Sequence, residues 1–105
     1  MPQFAVHKNK NSATRAQFPL LVDIQSDLIQ PLATRVVIPL SPAARARSRS
    51  IELLSPIVTV GDLDYVLVTP QLAGIASKEL GPVVGSLRDQ RARIIGALDF
   101  LISAY

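Results

Sequence analysis

Cysteine and tryptophan are absent from the chain and histidine occurs once. Without cysteine there is no disulfide scaffold, no thiol nucleophile and no cysteine-ligated zinc, and the composition fits a reducing compartment. A single histidine, His7, cannot supply paired imidazoles for a metal and would be the sole base of any Ser/His/acid arrangement; it reads as an ordinary strand side chain. The five glycines are scattered, so G-x-S-x-G, G-x-x-x-x-G-K and G-x-G-x-x-G are all missing. No cofactor or metal is expected. Long hydrophobic runs are missing too. The longest uncharged stretch, Tyr65 to Ser77, has 13 residues and contains Pro70, short of the roughly 18 apolar positions that a spanning helix needs. Residues 1–15 are polar and basic with no apolar run, so no secretory signal is visible and a cytoplasmic protein without a membrane partner is expected.

What remains is a chain of 105 residues, 49% hydrophobic and 18% charged, with room for one domain spanning 1–105. Domains of this size bury a modest share of their surface, and with no cross-link the expected reinforcement is a homodimer. Eleven Lys and Arg against eight Asp and Glu give a net charge of +3, which suits an acidic partner as well as nucleic acid.

Ten Val and nine Ile lie mostly in short runs separated by proline, a pattern that favours strands. Phe4 and Val6 alternate with Gln3, Ala5 and His7; Phe18, Leu20, Val22 and Ile24 alternate with Pro19, Leu21, Asp23 and Gln25, so each run predicts one apolar face. The Lys8 to Thr14 stretch predicts a hairpin loop between them. Arg35 to Leu40 is nearly continuously apolar, as in a central strand covered on both faces, with Pro39 marking an edge or its end. Ile57–Val60 and Tyr65–Thr69 flank a four-residue loop, Gly61 to Asp64, and predict a second hairpin. Asp62 and Asp64 read as solvated turn formers within it.

The period changes at Gly81-Pro82, beyond which Val84, Leu87, Ile94, Leu98, Leu101 and Tyr105 share a face at 3.6 residues per turn and predict an amphipathic helix. Arg91 falls inside that stripe, its stem lying along it while the charge snorkels out. Arg45, Arg47 and Arg49 alternate with small residues in a stretch from Ser41 to Ser50 that reads as a loop. No aromatic is interleaved to stack on bases, so an acidic disordered peptide is a better partner than nucleic acid.

One segment is more specific. Leu21-Val22-Asp23-Ile24-Gln25-Ser26-Asp27-Leu28-Ile29 followed by Thr34-Arg35-Val36-Val37-Ile38-Pro39-Leu40 closely resembles the F-V-D-V-Q-S-D-I/L-I/L and R-x-V-I-P-L pattern of CcdB-type toxins. Gln3-Phe4 at the start and Pro56 to Asp62, similar to the family's P-V-V-H-I-G-D, extend the likeness over essentially the whole chain. The resemblance implies a mainly β fold, a small SH3-like antiparallel barrel with a C-terminal α-helix of the CcdB/MazF/Kid kind. It also implies a non-catalytic homodimer that binds the DNA gyrase A subunit, traps the cleaved gyrase–DNA complex and is relieved by a CcdA-like antitoxin with a disordered acidic tail. DNA would be met only through the gyrase or antitoxin complex.

Residue by residue, the resemblance places the gyrase contact on Leu28 and Ile29 and on the C-terminal positions Asp99, Ser103, Ala104 and Tyr105. Here the chain departs from the family, whose tip is often Trp-Gly-Ile with an Asn one turn earlier. Losing a buried tryptophan at a contact is worth about 2 kcal/mol or more, which Tyr105 offsets if it packs from two positions away, and Asp99 brings a carboxylate where an amide would bond in both directions. Leu98, Leu101 and Ile102 are expected to pack on the barrel or a dimer seam. The antitoxin surface falls on Lys8, Arg15, Arg45, Arg47 and Arg49. Two alternatives belong to other classes: an endoribonuclease of the MazF/Kid type using Asp23, Arg35 and Ser26, and a non-poisoning decoy that keeps only the antitoxin face.

Overall fold

In a computed structural model, residues 2–28, 33–46 and 52–103 are described. Their order is β1 (Ala5–Asn9), β2 (Leu20–Asp23), β3 (Thr34–Pro42), a one-turn helix α1 (Ala43–Ala46), β4 (Ile57–Val60), β5 (Leu63–Leu67), β6 (Ala73–Ala76), β7 (Leu80–Ser86) and α2 (Arg91–Ser103). The fold is mainly β, as the sequence predicts: one curled antiparallel half-barrel sheet in the order β4-β5-β3-β2-β1-β7, with β6 also paired to β3, and a C-terminal helix.

β3 is the central strand, and Pro39 sits inside it instead of ending it. One side of β3 pairs with β2; the other pairs first with β6, up to Val37 opposite Ala73, and then with β5 from Leu40 opposite Leu67. The Pro39 carbonyl accepts from Val68 N at 2.9 Å on that second side. The N–H that proline lacks would have pointed the same way, into the gap where the partner changes, so its absence breaks no ladder bond.

The main core joins Phe4, Val6, Leu20, Val22, Ile38, Leu40, Val58, Leu67, Leu87, Ile94 and Ala97. A smaller cluster of Leu21, Val37 and Leu80, with Ile75 against it, covers the opposite face of β2 and β3. β1 and β2 are therefore buried on both faces except at Lys8, not on the single face that alternation suggested. Phe4 adopts a left-handed backbone with φ of 70°, at a cost of about 1 to 2 kcal/mol for a non-glycine residue. Its N–H donates to Asp23 O and its carbonyl accepts from Leu87 N at 2.8 Å. Those two bonds and the 2% exposure of its ring hold it there.

The β4–β5 hairpin forms with a tighter turn than expected. Val60 pairs with Leu63, leaving Gly61-Asp62 as a two-residue loop in which Gly61 alone has positive φ, +61°, the pattern of a type II′ turn with glycine at its first central position. Asp64 thus belongs to β5, where its carboxylate accepts from Thr59 Oγ1 at 2.9 Å across the pair. Ser41 to Ser50 is also not simply a loop, since Ser41 and Pro42 complete β3 and Ala43–Ala46 form α1.

The largest correction concerns the chain after Gly81-Pro82, which continues as β7 paired to β1, not as helix. Val83 and Val84 suit a strand, Pro82 is tolerated on an edge strand, and a Cβ at Gly81 would lie 2.7 Å from Lys8 O, so only glycine permits this approach. Val84 is accordingly exposed on β7 and Leu87 buried before the helix. The helix starts only at Arg91, after a 3-10 turn at Arg88–Gln90, and Arg91 is exposed. Its inward stripe is Ile94, Ala97 and Leu98, with Ile95 beside them. Two side chains tie it to the outer edge of β4. Gln90 accepts from Thr59 N at 3.1 Å and donates to Thr59 O at 2.9 Å, as a neighbouring strand would. Arg93 donates to Ile57 O at 2.6 Å. No helix among the described residues is long and apolar enough to cross a membrane.

Candidate partner-binding site

The loop between β2 and β3 is built by the polar residues of the Asp-Ile-Gln-Ser-Asp motif. Asp23, fully buried, accepts from Arg35 Nε at 2.8 Å and Nη2 at 3.2 Å. Its Oδ1 also accepts from Gln25 N at 3.0 Å, while the Gln25 carbonyl accepts from Arg35 Nη2 at 3.3 Å and Gln25 Oε1 from Val36 N at 3.1 Å. A desolvated pair of this kind holds because its bonds are bidentate and its remaining lone pairs are used. On the outer side, Asp27 accepts from Gln3 N at 2.8 Å, Gln3 Nε2 donates to Ile24 O at 3.1 Å, and Ser26 Oγ accepts from Leu28 N at 3.1 Å. Next after these bonded residues, Leu28 is 95% exposed. Ile29 lies outside the described residues.

This arrangement answers the ribonuclease alternative at its proposed residues. Asp23 and Arg35 neutralise each other beneath the sheet surface, with side-chain exposures of 0% and 5%, and Ser26 is engaged in the loop turn. None of the three faces an open cleft together with the others. His7 is buried as well, its Nδ1 3.0 Å from Gly81 O and its Nε2 without a partner among the described residues. Among those residues no group of three or more His, Cys, Asp or Glu side chains is placed to hold a metal ion.

The second part of the expected contact is the end of α2. Asp99 and Ser103 are exposed, and the Ser103 hydroxyl donates to the Asp99 carbonyl at 2.5 Å. Ala104 and Tyr105 lie outside the described residues. Ile102, expected to pack inward, is 79% exposed: it lies in the last turn of α2, beyond the stretch from Ile94 to Leu98 that packs on the core. No hydrogen bond or ion pair among the described residues joins the Leu28 loop to this helix end.

The basic residues fall elsewhere. Register aligns Lys8 with Leu20 and Leu20 with Leu40, so the loop after β1 and the start of α1 share one end of these three strands and the Leu28 loop occupies the other. Lys8 and Arg15 are exposed at the first end. Arg45 belongs to α1, its side chain outside the description, and Arg47 and Arg49 lie outside the described residues. The sequence reading missed one functional candidate, a cleft between the loop after β1 and residues 71–79. Its walls lie far apart in the sequence, and no local signal marks it.

A curled half-barrel with a C-terminal helix, presenting large apolar side chains in a loop and at a helix end, is the build of a small partner-binding protein. The family model described as CcdB protein matches residues 3–104, and the chain belongs to the CcdB family. It is thus a toxin of the toxin–antitoxin kind.

Proposed function

We propose that this toxin, acting as a homodimer without turnover of its own, binds the DNA gyrase A subunit and traps the cleaved gyrase–DNA complex. Leu28 and Ile29, with Asp99, Ser103, Ala104 and Tyr105, form the contact, and an antitoxin with an acidic disordered tail relieves it at Lys8, Arg15, Arg45, Arg47 and Arg49. The observation that carries this reading is Leu28, a leucine 95% exposed on a loop held by buried polar bonds. A large apolar side chain left in water gains from burial when a partner covers it.

The test is a supercoiling and cleavage assay with gyrase from the host. Cleaved DNA accumulates with the wild-type protein, Leu28→Ser reduces it at least tenfold, and Ser103→Trp increases it. Normal supercoiling with no trapped cleavage at high toxin concentration rejects the proposal. Toxicity that appears only in Ser103→Trp identifies the natural chain as a decoy.

A further inference from the structure

On the face of β2 and β3 turned away from the main core, a cleft of about 210 Å³ lies between the loop after β1 and residues 71–79. Its floor is Leu21, Val37 and Pro39, which share that face because Leu21 pairs with Pro39 and side chains along a strand repeat every two residues. Phe18 bounds one side and Ile75 the other. Phe18, Leu21 and Val37 are at most 8% exposed, so the floor is apolar and largely closed. The rim is open, with Asn11, Gln71 and Glu79 exposed.

The walls are fixed by bonds of their own. Asn9, itself 8% exposed, donates to Thr14 Oγ1 at 3.0 Å and to Phe18 O at 2.8 Å, and accepts from Asn11 N at 2.9 Å. These bonds shape the loop from inside. Asn11 Oδ1 accepts from Ala13 N at 2.9 Å, which leaves the Asn11 amide nitrogen without a partner among the described residues. Lys10 donates to Lys78 O at 3.1 Å and so ties this loop to the opposite wall, one residue before Glu79.

The charge of the lining decides what suits the cleft. Glu79 is the one ionisable side chain that lines it, and it has no ion pair among the described residues. Lys10 and Lys78 stand outside the lining, and Lys10 is turned to a carbonyl. A neutral ligand would cover part of the carboxylate without pairing it, which costs free energy, and an anion would be repelled. A cation gains from it. The volume holds about seven water-sized groups at roughly 30 Å³ each, below the roughly 300 Å³ at which pockets for drug-sized ligands begin.

We propose that this cleft binds a small primary amine, its ammonium group paired with Glu79 and its apolar body seated on Leu21, Val37 and Ile75. One positive charge suits the site, since a second would meet Lys10 and Lys78. The cleft lies at the opposite end of the strands from Leu28 and does not rest on the function proposed above.

Benzylamine, with benzyl alcohol and benzoate as neutral and anionic analogues of similar shape, is titrated into the full chain at neutral pH and followed by the methyl NMR signals of Leu21, Val37 and Ile75. Benzylamine moves them saturably. Benzyl alcohol binds about fivefold more weakly, the worth of an exposed ion pair, and benzoate more weakly still. Glu79→Gln brings benzylamine down to the affinity of the alcohol and leaves the alcohol unchanged, a split that a general loosening of the fold would not produce. Ala73→Trp, at an exposed lining position, fills the cleft and removes binding of all three, with the melting temperature as the check on folding. Equal affinity for the three probes, or an unchanged affinity for benzylamine in Glu79→Gln, overturns the proposal, because the cleft then makes no choice of charge. Absence of any saturable shift overturns it as well. Methyl signals that respond to dilution of the protein and to no probe show that a second copy of the chain covers the cleft, and this too overturns it.

Discussion

The β2–β3 loop and the end of α2 both hold a large apolar side chain in water, Leu28 and Ile102 at 95% and 79% exposure, but they are built in opposite ways. The loop is fixed by polar bonds: Asp23, Gln25, Ser26, Asp27, Gln3 and Arg35 each give or take at least one. The helix end is fixed by packing further back, at Ile94, Ala97 and Leu98, and locally by a single bond between Ser103 and the Asp99 carbonyl. The described part of the loop thus owes its geometry to polar and charged bonds, and the helix end owes its position to the core. A substitution that removes one charge is transmitted to Leu28, whereas one that trims the last turn stays local.

The sharpest way to break this contrast is Arg35→Met. Left without its guanidinium, Asp23 is a carboxylate at 0% exposure with only the Gln25 N–H still bonded to it, and such a loss costs about 3 to 5 kcal/mol. Urea unfolding should show that loss in the transition midpoint. Replacing both partners, Asp23→Leu with Arg35→Met, should recover much of it, because no charge is then stranded. If the double variant is as unstable as the single one, the pair matters for shape and not for charge.

Gln90→Ala is the next test, and it addresses how α2 is seated. The side chain exchanges two hydrogen bonds with Thr59 on the outer edge of β4. At roughly 0.5 to 1.5 kcal/mol each, reduced because water can replace them at an exposed site, the expected loss is about 1 kcal/mol. It should also make β4 a bare edge, read as a higher tendency to associate in light scattering at high concentration. Asp27→Ala removes the acceptor for Gln3 N and should cost about 0.5 to 1 kcal/mol. Under the proposed function its effect on trapped gyrase cleavage exceeds what that loss of stability predicts, because the variant loosens Leu28 while leaving it in place.

Much of the fold could be read in the sequence because its strands carry local signals. The run from Arg35 to Leu40 is recognisable as a central strand, and Gly61 to Asp64 as a hairpin connection, although the loop that forms is two residues shorter. The failures share a cause, since each depended on contacts distant in sequence. Val84 and Leu87 match a helical face by spacing, yet β1 recruits residues 80–86 as a strand, with Gly81 pressed against Lys8. Pro39 reads as a strand end until two separate partner strands are known to meet beside it. At the candidate site, Asp23 and Arg35 have residue types suited to acid–base chemistry, and only their burial against each other shows that they are scaffold. The exposure of Leu28 could not be read from hydropathy, which buries it; the family resemblance supplied that expectation. The cleft beside Glu79 had no motif, because its walls come from segments about sixty residues apart.

Ile102→Ser is the mildest substitution and separates the two regions most directly. With the side chain 79% exposed in the last turn of α2, removing it from a lone subunit should change unfolding free energy by no more than about 0.5 kcal/mol. Leu28→Ser should be equally silent in the same measurement, so any difference between the two must come from partners. In the gyrase cleavage assay Leu28→Ser should fall the further, since Leu28 at 95% exposure offers a partner more apolar area than Ile102 at 79%. A loss of more than 1 kcal/mol from Ile102→Ser that shrinks on dilution would mean that another subunit covers this residue. The end of α2 would then be part of the toxin's own dimer seam, and Leu28 alone would remain as the free apolar contact.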